Sequence, residues 1–381
     1  MIIKLIENTQ DFLKLQEDWN NILKKSYANF PFLTFEWLSN WWKYFGKNKQ
    51  LFIMTAHEND NGPPHAIAPF MLVEFAGFKI IQFIGTERSD YLDFIIEDRI
   101  EDTIKAFFTF LNENKEKWDI IFLSDILSIG DNIKRFCSTA KAVNWGICSR
   151  LYYHSPYLPI NSDWPQFISA KSSNFRYTLK RKENYLKKQG IGLKILHLNS
   201  EALNHEVFKD MVKIERNSWK IESGTPNMQE KTAQNFFLDY LQEFAKNGWM
   251  NLWLAYMDEK PMAYLINFDY GRKIWFYNAA YHKQSEKYGI GSILMHHAVK
   301  DSFLREKTEY DFMRGVEEYK KHWASEERKS FQLVFYRKSF RSMLGYFILF
   351  RFRWFLSKSK LLRRIRLFFI NFLHKMRISN E

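Results

Sequence analysis

The segment Glu286-Lys287-Tyr288-Gly289-Ile290-Gly291-Ser292 is the most informative local feature of this 381-residue chain. It lies between a strand predicted to end near Ala280 and a helix predicted to begin near Ile290. A glycine-rich turn that leads into a helix presents unpaired backbone N–H groups, and the helix dipole favours an anion there. A plain tight turn is the alternative. The sequence therefore predicts a pyrophosphate-type site at Lys287, Tyr288, Gly289, Ile290, Gly291 and Ser292.

The turn is neither of the two common phosphate motifs. It lacks the Gly-Lys-Ser/Thr of a P-loop, and Leu294 excludes the spacing Gly-x-Gly-x-x-Gly. What surrounds it is more informative. Helices are predicted at 172–189, 201–220 and 229–246, and strands at 249–257, 261–269 and 273–280. A helix at 290–304, a strand at 309–313, a short helix at 316–323 and a strand at 330–336 follow.

The first half of the chain repeats this order of elements. Helices are predicted at 9–24 and 34–45, and strands at 51–57, 65–74 and 78–84. A short apolar stretch at 91–96, a helix at 101–115, a strand at 118–124, a helix at 131–142 and a strand at 146–153 follow. Pro156, Pro159 and the polar residues 161–163 suggest a linker. We therefore predict an α/β (α+β) protein with two tandem units, 1–158 and 159–338, each a mixed, mostly antiparallel sheet flanked by helices.

Composition limits the class of protein. A hydrophobic fraction of 46% supports packed cores, and two cysteines are too few for a disulfide framework or a four-thiolate metal site. The N-terminus lacks the apolar stretch of a signal peptide, and no run reaches the roughly 18 apolar residues of a spanning helix. We expect a cytoplasmic location.

The positive charge is concentrated in the tail, residues 339–381. Of the 56 Lys and Arg residues, 12 lie in residues 337–381, beside a single acid, Glu381. Apolar residues in 361–376 follow one helical stripe, with basic residues largely opposite. This pattern is typical of a helix that lies on an anionic membrane surface, and residues 340–378 are predicted to do so. A helix docked on the body or on a protein partner is the alternative.

Several segments resemble a known superfamily. They are Pro31 to Leu38 with Trp41-Trp42, Ser89 to Phe94, Asn174 to Arg176, Ser218-Trp219-Lys220 with Gly224-Thr225, and Tyr310 to Gly315 with Glu317, Tyr319, Lys320 and Trp323. Together with the Gly-x-Gly turn, they resemble the GNAT superfamily of acyltransferases, in the branch named after the cellulose-biosynthesis protein CelD and related to the Fem-type peptidyltransferases. Glu286 stands where that superfamily carries Arg or Gln. The resemblance implies tandem GNAT domains, a degenerate first domain and acyl-CoA at the turn of the second.

Acyl transfer from a thioester needs a base near the acceptor and a proton donor for the thiolate. We predict catalytic roles for Glu317, Lys320, Tyr281 and Asp311. A structural ion network that ties the last strand to its helix is the alternative for the cluster around Glu317, and a buried sheet tyrosine is the alternative for Tyr281. Substrate binding is predicted for Asp90, Tyr91, Asp93, Arg176, Trp219 and Arg314. A polar strand end is the alternative for Asp90, Tyr91 and Asp93.

No metal site is expected. His296 and His297 are adjacent on a helix and so point about 100° apart. Residues 171–188 carry seven Lys and Arg residues and one acid, Glu183. Such a helix can steer CoA phosphates, a nucleotide-linked sugar or tRNA, although a solvated face is equally consistent. No DNA-binding motif accompanies it.

The sequence thus favours an N- or O-acyltransferase that uses acyl-CoA, such as acetyl-CoA, and acylates a sugar, a glycan or an envelope precursor at the inner face of the membrane. One alternative is Fem-type aminoacyl transfer from aminoacyl-tRNA. Another is a non-catalytic GNAT scaffold for polysaccharide biosynthesis.

Overall fold

The computed structural model describes residues 1–128, 130–199 and 203–352. The predicted amphipathic helix at 361–376 lies outside these residues. Within the described ranges, no helix is both long and apolar enough to cross a bilayer.

The first half contains nine strands and five helices within the described residues. The strands are β1 (Ile2–Ile6), β2 (Lys49–Leu51), β3 (Ile53–His57), β4 (Pro64–Ala68), β5 (Phe70–Phe75), β6 (Phe78–Phe83), β7 (Ile95–Ile96), β8 (Ile120–Leu127) and β9 (Gly146–Pro159). The helices are α1 (Thr9–Lys14), α2 (Gln16–Lys25), α3 (Phe35–Phe45), α4 (Ile100–Glu113) and α5 (Asp131–Ala142).

The second half begins with α6 (Trp164–Ala170), α7 (Ser173–Lys188) and β10 (Leu193–Leu198). It continues with α8 (His205–Arg216), α9 (Trp219–Ser223), α10 (Lys231–Lys246), β11 (Met250–Met257), β12 (Lys260–Tyr270), β13 (Lys273–Tyr281) and α11 (Ile290–Leu304). It ends with β14 (Glu309–Asp311), α12 (Glu318–Trp323), β15 (Glu326–Tyr336), α13 (Phe340–Tyr346) and a π-helical segment, Phe347–Phe352.

The strands form a small sheet and a long continuous one. The small sheet has the order β1-β3-β4-β7, and the other has eleven strands in the order β10-β11-β12-β13-β14-β9-β15-β8-β6-β5-β2. All pairings are antiparallel except β6 with β8 and β13 with β14. Each parallel pair is joined by a helix, α4 or α11, as parallel neighbours require. The predicted α/β class and the repeat of one unit are confirmed.

The two halves exchange their last strands. β9, from the first half, pairs with β14 of the second, and β15, from the second half, pairs with β8 of the first. β9 and β15 also pair with each other, from Gly146 opposite Tyr336 to Tyr157 opposite Glu326. The result is one sheet that runs through both halves. The boundary predicted at 158/159 stays a prediction, because the sheet is not interrupted there.

Some sequence expectations were wrong in detail. The runs predicted as single strands at 51–57 and 65–74 are each divided between the two sheets, at Phe52 and Pro69. Proline lacks the N–H that a continuous ladder needs, so the break at Pro69 has a local cause. The prolines assigned to a linker, Pro156 and Pro159, lie within β9, and the sequence patterns missed α6 and β10.

Helix α3 joins the two halves through its aromatic face. The Thr34 hydroxyl caps it by accepting the N–H of Trp37 at 3.3 Å. The buried Trp37 indole packs against Phe236, Tyr240 and Tyr277 of the second half, with ring centroids 5.1 to 5.3 Å apart. One hydrophobic core therefore spans both halves, and a second fills the space between the sheet and α11.

Because the halves exchange strands, we expect that the first half cannot fold alone. Residues 1–158 by themselves leave the edges of β8 and β9 unpaired, and exposed edges favour aggregation. We expect no cooperative thermal unfolding of this fragment by circular dichroism. Because Tyr157 lies opposite Glu326, a short turn can connect β9 directly to residues 326–336. The fragment joined in this way should unfold cooperatively. Identical behaviour of the two fragments would contradict a stabilising role for the exchange.

Candidate active site

A cavity of about 1330 Å³ opens where β13 and β14 separate. The two strands pair only from Lys273–Trp275 to Glu309–Asp311. Beyond that point β13 continues to Tyr281, whereas the chain after Asp311 moves away. Residues 276–281 and 312–315 line the two sides of the gap.

The exchanged strand β9 holds this gap open. The backbone N–H of Phe312 donates to the carbonyl of Pro156, and that of Gly315 donates to the carbonyl of His154, both at 3.0 Å. Segment 312–315 therefore follows β9 and not β13. Met313 and Gly315 have φ values of 58° and 106° in this bend. A positive φ is unfavourable for methionine, so the tertiary structure imposes the conformation.

A β-bulge lies at the same place in β13. Asn278 lies opposite Ile266 and Phe276 opposite Asn267, so Tyr277 has no partner in the ladder. Bulges redirect side chains and often occur beside active sites. The cavity is lined from both faces of the sheet: Phe276 belongs to the core under α11, and Tyr264 belongs to the core under α8 and α10.

The predicted phosphate turn borders the cavity. Gly289 is left-handed (φ 65°) and is followed directly by the first turn of α11, which has no side-chain cap. Gly289, Ile290, Gly291 and Ser292 line the cavity. Lys287 and Tyr288 do not line it, although Glu286 of the same 3-10 turn does.

A lysine from α7 lies over this turn. The φ of 65° at Gly289 favours glycine, and a Cβ added there would lie 3.0 Å from the Lys182 ammonium nitrogen. Burial lowers the pKa of Lys182. Within the described part of the chain Lys182 has no carboxylate partner, yet it faces the positive end of a helix. An anion at this position would neutralise both.

Three charged residues of the predicted cluster, Arg314, Glu317 and Lys320, come together at the cavity. The Lys320 ammonium lies 2.9 Å from a Glu317 carboxylate oxygen and donates to the backbone carbonyl of Arg314 at 2.6 Å. The Lys320 side chain is buried, whereas that of Glu317 is 52% exposed. Glu317 is thus an exposed carboxylate at the cavity, as are Glu87 and Glu286, and it is the one that pairs with Lys320.

Arg314 connects the halves by binding two buried carboxylates. Its Nε lies 2.6 Å from Asp90, and its Nη1 lies 3.8 Å from Asp125. Burial raises the pKa of Asp90, and it raises the pKa of Asp125 to about 7 even though Arg314 opposes the shift.

Asp90 and Arg314 line the cavity, as does the Trp219 indole, whose ring lies 6.4 Å from that of Tyr281. Burial raises the pKa of Tyr281, which also lines the cavity.

Four other predicted site residues lie outside the cavity lining. Asp311 is fully buried and binds Arg328 at 2.8 Å and the Tyr91 hydroxyl at 3.1 Å. Burial raises the pKa of Asp311 to about 6. Arg176 donates to the carbonyl of Ser169 at 3.0 Å, and Asp93 is enclosed in the first half. In the structure these residues make internal contacts, and their predicted functional roles are untested.

Sequence reasoning did not select two polar residues that line the cavity, Lys220 and Asn278. Lys220 lies inside the segment Ser218-Trp219-Lys220, and only its neighbour Trp219 was predicted to bind substrate. The packing of α9 against β13 brings the two side chains together, and no sequence spacing indicates this contact. Lys182 was recognised only as one member of the basic helix.

His296 and His297 both lie near one carboxylate, that of Glu183. Glu183 of α7 lies 3.8 Å from His296 Nδ1 and 3.1 Å from His297 Nε2. Among the residues that the structure describes, no cluster of three or more His, Cys, Asp or Glu side chains is arranged to hold a metal ion.

Comparisons with known proteins agree with this architecture. Residues 173–321 match the family model described as Acetyltransferase (GNAT) domain. No protein with a curated description matches the sequence. The crystal structure of FemX superposes with a TM-score of 0.60 at 10% identity, over 91% of this chain and 100% of FemX.

Two further structures share the fold. The structure of L-PGS from Bacillus licheniformis has a TM-score of 0.53 at 13% identity, over 85% of this chain and 92% of that one. The C-terminal domain of a putative lysylphosphatidylglycerol synthetase from Agrobacterium fabrum has a TM-score of 0.53 at 9% identity, over 86% and 92%. At such identities the likeness concerns the fold. The predicted GNAT-like, Fem-like architecture with tandem domains is confirmed.

Asp93 predicts a pH dependence of stability. It is 3% exposed, and burial raises its pKa from 3.8 to about 7. Between these values the unfolded chain releases a proton that the folded protein keeps, so the free energy of unfolding should fall as the pH rises and level off above about 7. Each such group contributes about 1 kcal/mol per pH unit.

Urea denaturation at several pH values checks this expectation. Asp93→Asn should reduce the slope and stabilise the protein near neutral pH, whereas Asp131→Asn, at an exposed position on α5, should leave the slope unchanged. Equal slopes for wild type and Asp93→Asn would show that Asp93 is ionised in the folded protein.

Proposed function

Because the second half carries a GNAT-type domain within a Fem-like tandem fold, we propose that this protein transfers an acyl group from acyl-CoA to an amine or hydroxyl of a sugar, a glycan or an envelope precursor. One observation carries the proposal. The gap between β13 and β14 opens at its outer end onto the glycine turn and uncapped N-terminus of α11.

The donor would bind on the α11 side of the sheet. Its pyrophosphate would accept hydrogen bonds from the backbone N–H groups that begin α11 and would pair with Lys182. Its pantetheine arm would enter the gap beside Phe276, Leu294 and Phe312, which are apolar and line the cavity. This places the thioester at the bulge of β13.

The acceptor would approach from the opposite face. Its amine or hydroxyl must lose a proton as it attacks the thioester carbonyl, and the thiolate must gain one. Glu317, an exposed carboxylate held by Lys320 at the cavity, suits the first step. Tyr281, beside Gly291, suits the second, because its raised pKa keeps the phenol protonated. Lys320 positions the proposed base, because its ammonium pairs with Glu317 and donates to the backbone carbonyl of Arg314.

A second candidate function is aminoacyl transfer from aminoacyl-tRNA. It is favoured by α7, which borders the cavity through Phe175, Thr178 and Lys182 while Lys180 and Arg181 are exposed on the same helix. Such a basic surface suits a nucleic-acid backbone. Salt-sensitive binding of charged tRNA, without binding of CoA, would favour this candidate.

Isothermal titration with CoA and acetyl-CoA tests the acyl-CoA proposal. We expect wild-type binding with a Kd of roughly 1 μM to 1 mM, the usual range for enzyme substrates. Gly291→Trp should abolish it, since even a Cβ at Gly291 lies 3.3 Å from the Tyr281 ring. Lys182→Met should weaken binding about tenfold through loss of a charged hydrogen bond.

Lys187→Met is the matched control, because Lys187 is exposed on the same helix and does not line the cavity. Its affinity and the melting temperatures of all variants should be unchanged. Absence of any binding of CoA or acetyl-CoA to wild type at millimolar concentration would overturn the proposal. A protein that binds CoA but transfers no acyl group to any acceptor would support the scaffold alternative.

We also propose that the C-terminal end attaches the protein to an anionic membrane surface. The residues of α13 and the segment after it expose a row of large apolar side chains: Phe340, Met343, Leu344, Phe347 and Ile348. Phe340 is 83% exposed. Lys338, Arg341 and Arg351 lie in the same segment. Apolar and basic side chains together are typical of interfacial helices.

Liposome sedimentation tests this attachment. Deletion of residues 340–381 should abolish sedimentation with anionic vesicles, and wild type should sediment less with neutral vesicles or at high salt. Replacing Phe340 and Phe347 by serine should weaken binding without affecting CoA affinity. Unchanged sedimentation of the deletion variant would contradict the proposal.

A further inference from the structure

Lys220 places a buried ammonium on the cavity wall. Its side chain is 7% exposed, and its Nζ donates to Asn278 Oδ1. The Glu215 carboxylate lies 3.6 Å from the same nitrogen. A buried ion pair contributes little net stability, because desolvation offsets the attraction, so such a pair at a cavity wall suggests a functional role.

Glu215 contacts Lys220 on the side that faces away from the cavity. It is fully buried and does not line the cavity, whereas Lys220 does. One of its oxygens accepts the N–H of Asn227 at 2.7 Å, and the other accepts the Tyr264 hydroxyl. Burial lowers the pKa of Lys220, and the neighbouring Glu215 carboxylate opposes that shift by stabilising the ammonium. Of this pair, only the cation is available to a ligand.

The hydrogen bond from Lys220 also determines which way the Asn278 amide points. An ammonium can only donate, so the atom that it contacts must be Oδ1, and Asn227 Nδ2 lies 3.3 Å from the same oxygen. The other end of the amide, Nδ2, is a donor. It is buried and, among the described residues, has no hydrogen-bond partner. An unpaired buried donor is costly unless a ligand satisfies it.

The two donors lie on the acceptor side of the sheet. Tyr264, which binds Glu215, belongs to the core under α8 and α10, and the Lys220 network lies with it on that face. The glycine turn belongs to α11 on the opposite face. If the proposed function holds, donor and acceptor meet in the gap between β13 and β14. The bulge at Tyr277 brings Asn278 to that gap.

We propose that Lys220 and Asn278 form a subsite that binds a carboxylate of the acceptor substrate. One donor is cationic and the other is neutral, and together they suit an anionic oxygen. The acceptor is thus an amine or hydroxyl compound that also carries a carboxylate, such as an amino acid, a peptide end or an acidic sugar. This inference rests on the proposed function for the identity of the two substrates.

Matched ligand pairs test the subsite without the acyl donor. Binding is measured by saturation-transfer NMR. Each amino acid is compared with its primary amide, and glucuronic acid is compared with glucuronamide, so that the two members of a pair differ in the carboxylate. Wild type should bind at least one acid, and that acid about tenfold more tightly than its amide, the usual effect of a charged hydrogen bond. No carboxylate-dependent binding by any pair at millimolar concentration would overturn the proposal.

Two variants locate the effect. Asn278→Asp keeps the acceptor for Lys220 but replaces the free donor by a carboxylate oxygen, so acids should lose their advantage. Lys220→Met combined with Glu215→Gln removes the charge pair together and avoids an uncompensated buried carboxylate. This double variant should bind acid and amide equally. Preference for the acid that persists in the double variant would overturn the proposal.

A variant at the proposed CoA site serves as the control for the carboxylate subsite. Lys182→Met should keep the preference for the acid while weakening CoA, and Asn278→Asp should keep CoA affinity while losing that preference. The two proposals therefore fail separately: wild type that binds acids but not CoA disproves the acyl-CoA donor, and wild type that binds CoA but shows no preference for acids disproves the subsite.

Discussion

The antiparallel pairing of β9 with β15 is the interaction on which the rest of the structure depends. It joins two sheets into one and places each of these strands beside the penultimate strand of the other half. Because β9 lies next to β14, its carbonyls at His154 and Pro156 capture the N–H groups of Gly315 and Phe312. The gap beside β13 is therefore a consequence of the exchange, and a cavity forms where an uninterrupted parallel pair would have closed.

The cationic side chains of the cavity differ in whether a carboxylate neutralises them. Arg314 of the second half is neutralised by Asp90 and Asp125 of the first, so this polar contact belongs to neither half alone. Lys320 and Lys220 are each balanced by a neighbouring glutamate. Lys182 is different, because within the described residues no carboxylate balances it. A cation without a carboxylate partner beside a helix N-terminus suits an anionic donor on one face, and the donors of Lys220 and Asn278 suit the acceptor on the other.

Local patterns were sufficient for most elements of the fold. The observed bounds of the helices predicted at 34–45, 131–142 and 290–304 differ from the expected ones by one residue at most. The meander 249–280 was also anticipated, because turns separate its apolar runs. The division of residues 65–74 between two sheets was not anticipated, since both parts are equally apolar. Asp311 was selected with the charged cluster that follows a predicted strand, and Asp93 as a carboxylate in an otherwise apolar segment. Both patterns also describe carboxylates with internal partners.

The amino-acid sequence was enough to predict the repeated α/β unit, the glycine turn before α11 and the charged cluster after β14, because each is visible in runs of neighbouring residues. The fold was needed to show which strands pair between the halves, that Arg314 reaches Asp90, and that Lys220 meets Asn278 and Glu215. These contacts join residues far apart in the chain, and their energy comes from burial and hydrogen bonds that no local spacing encodes.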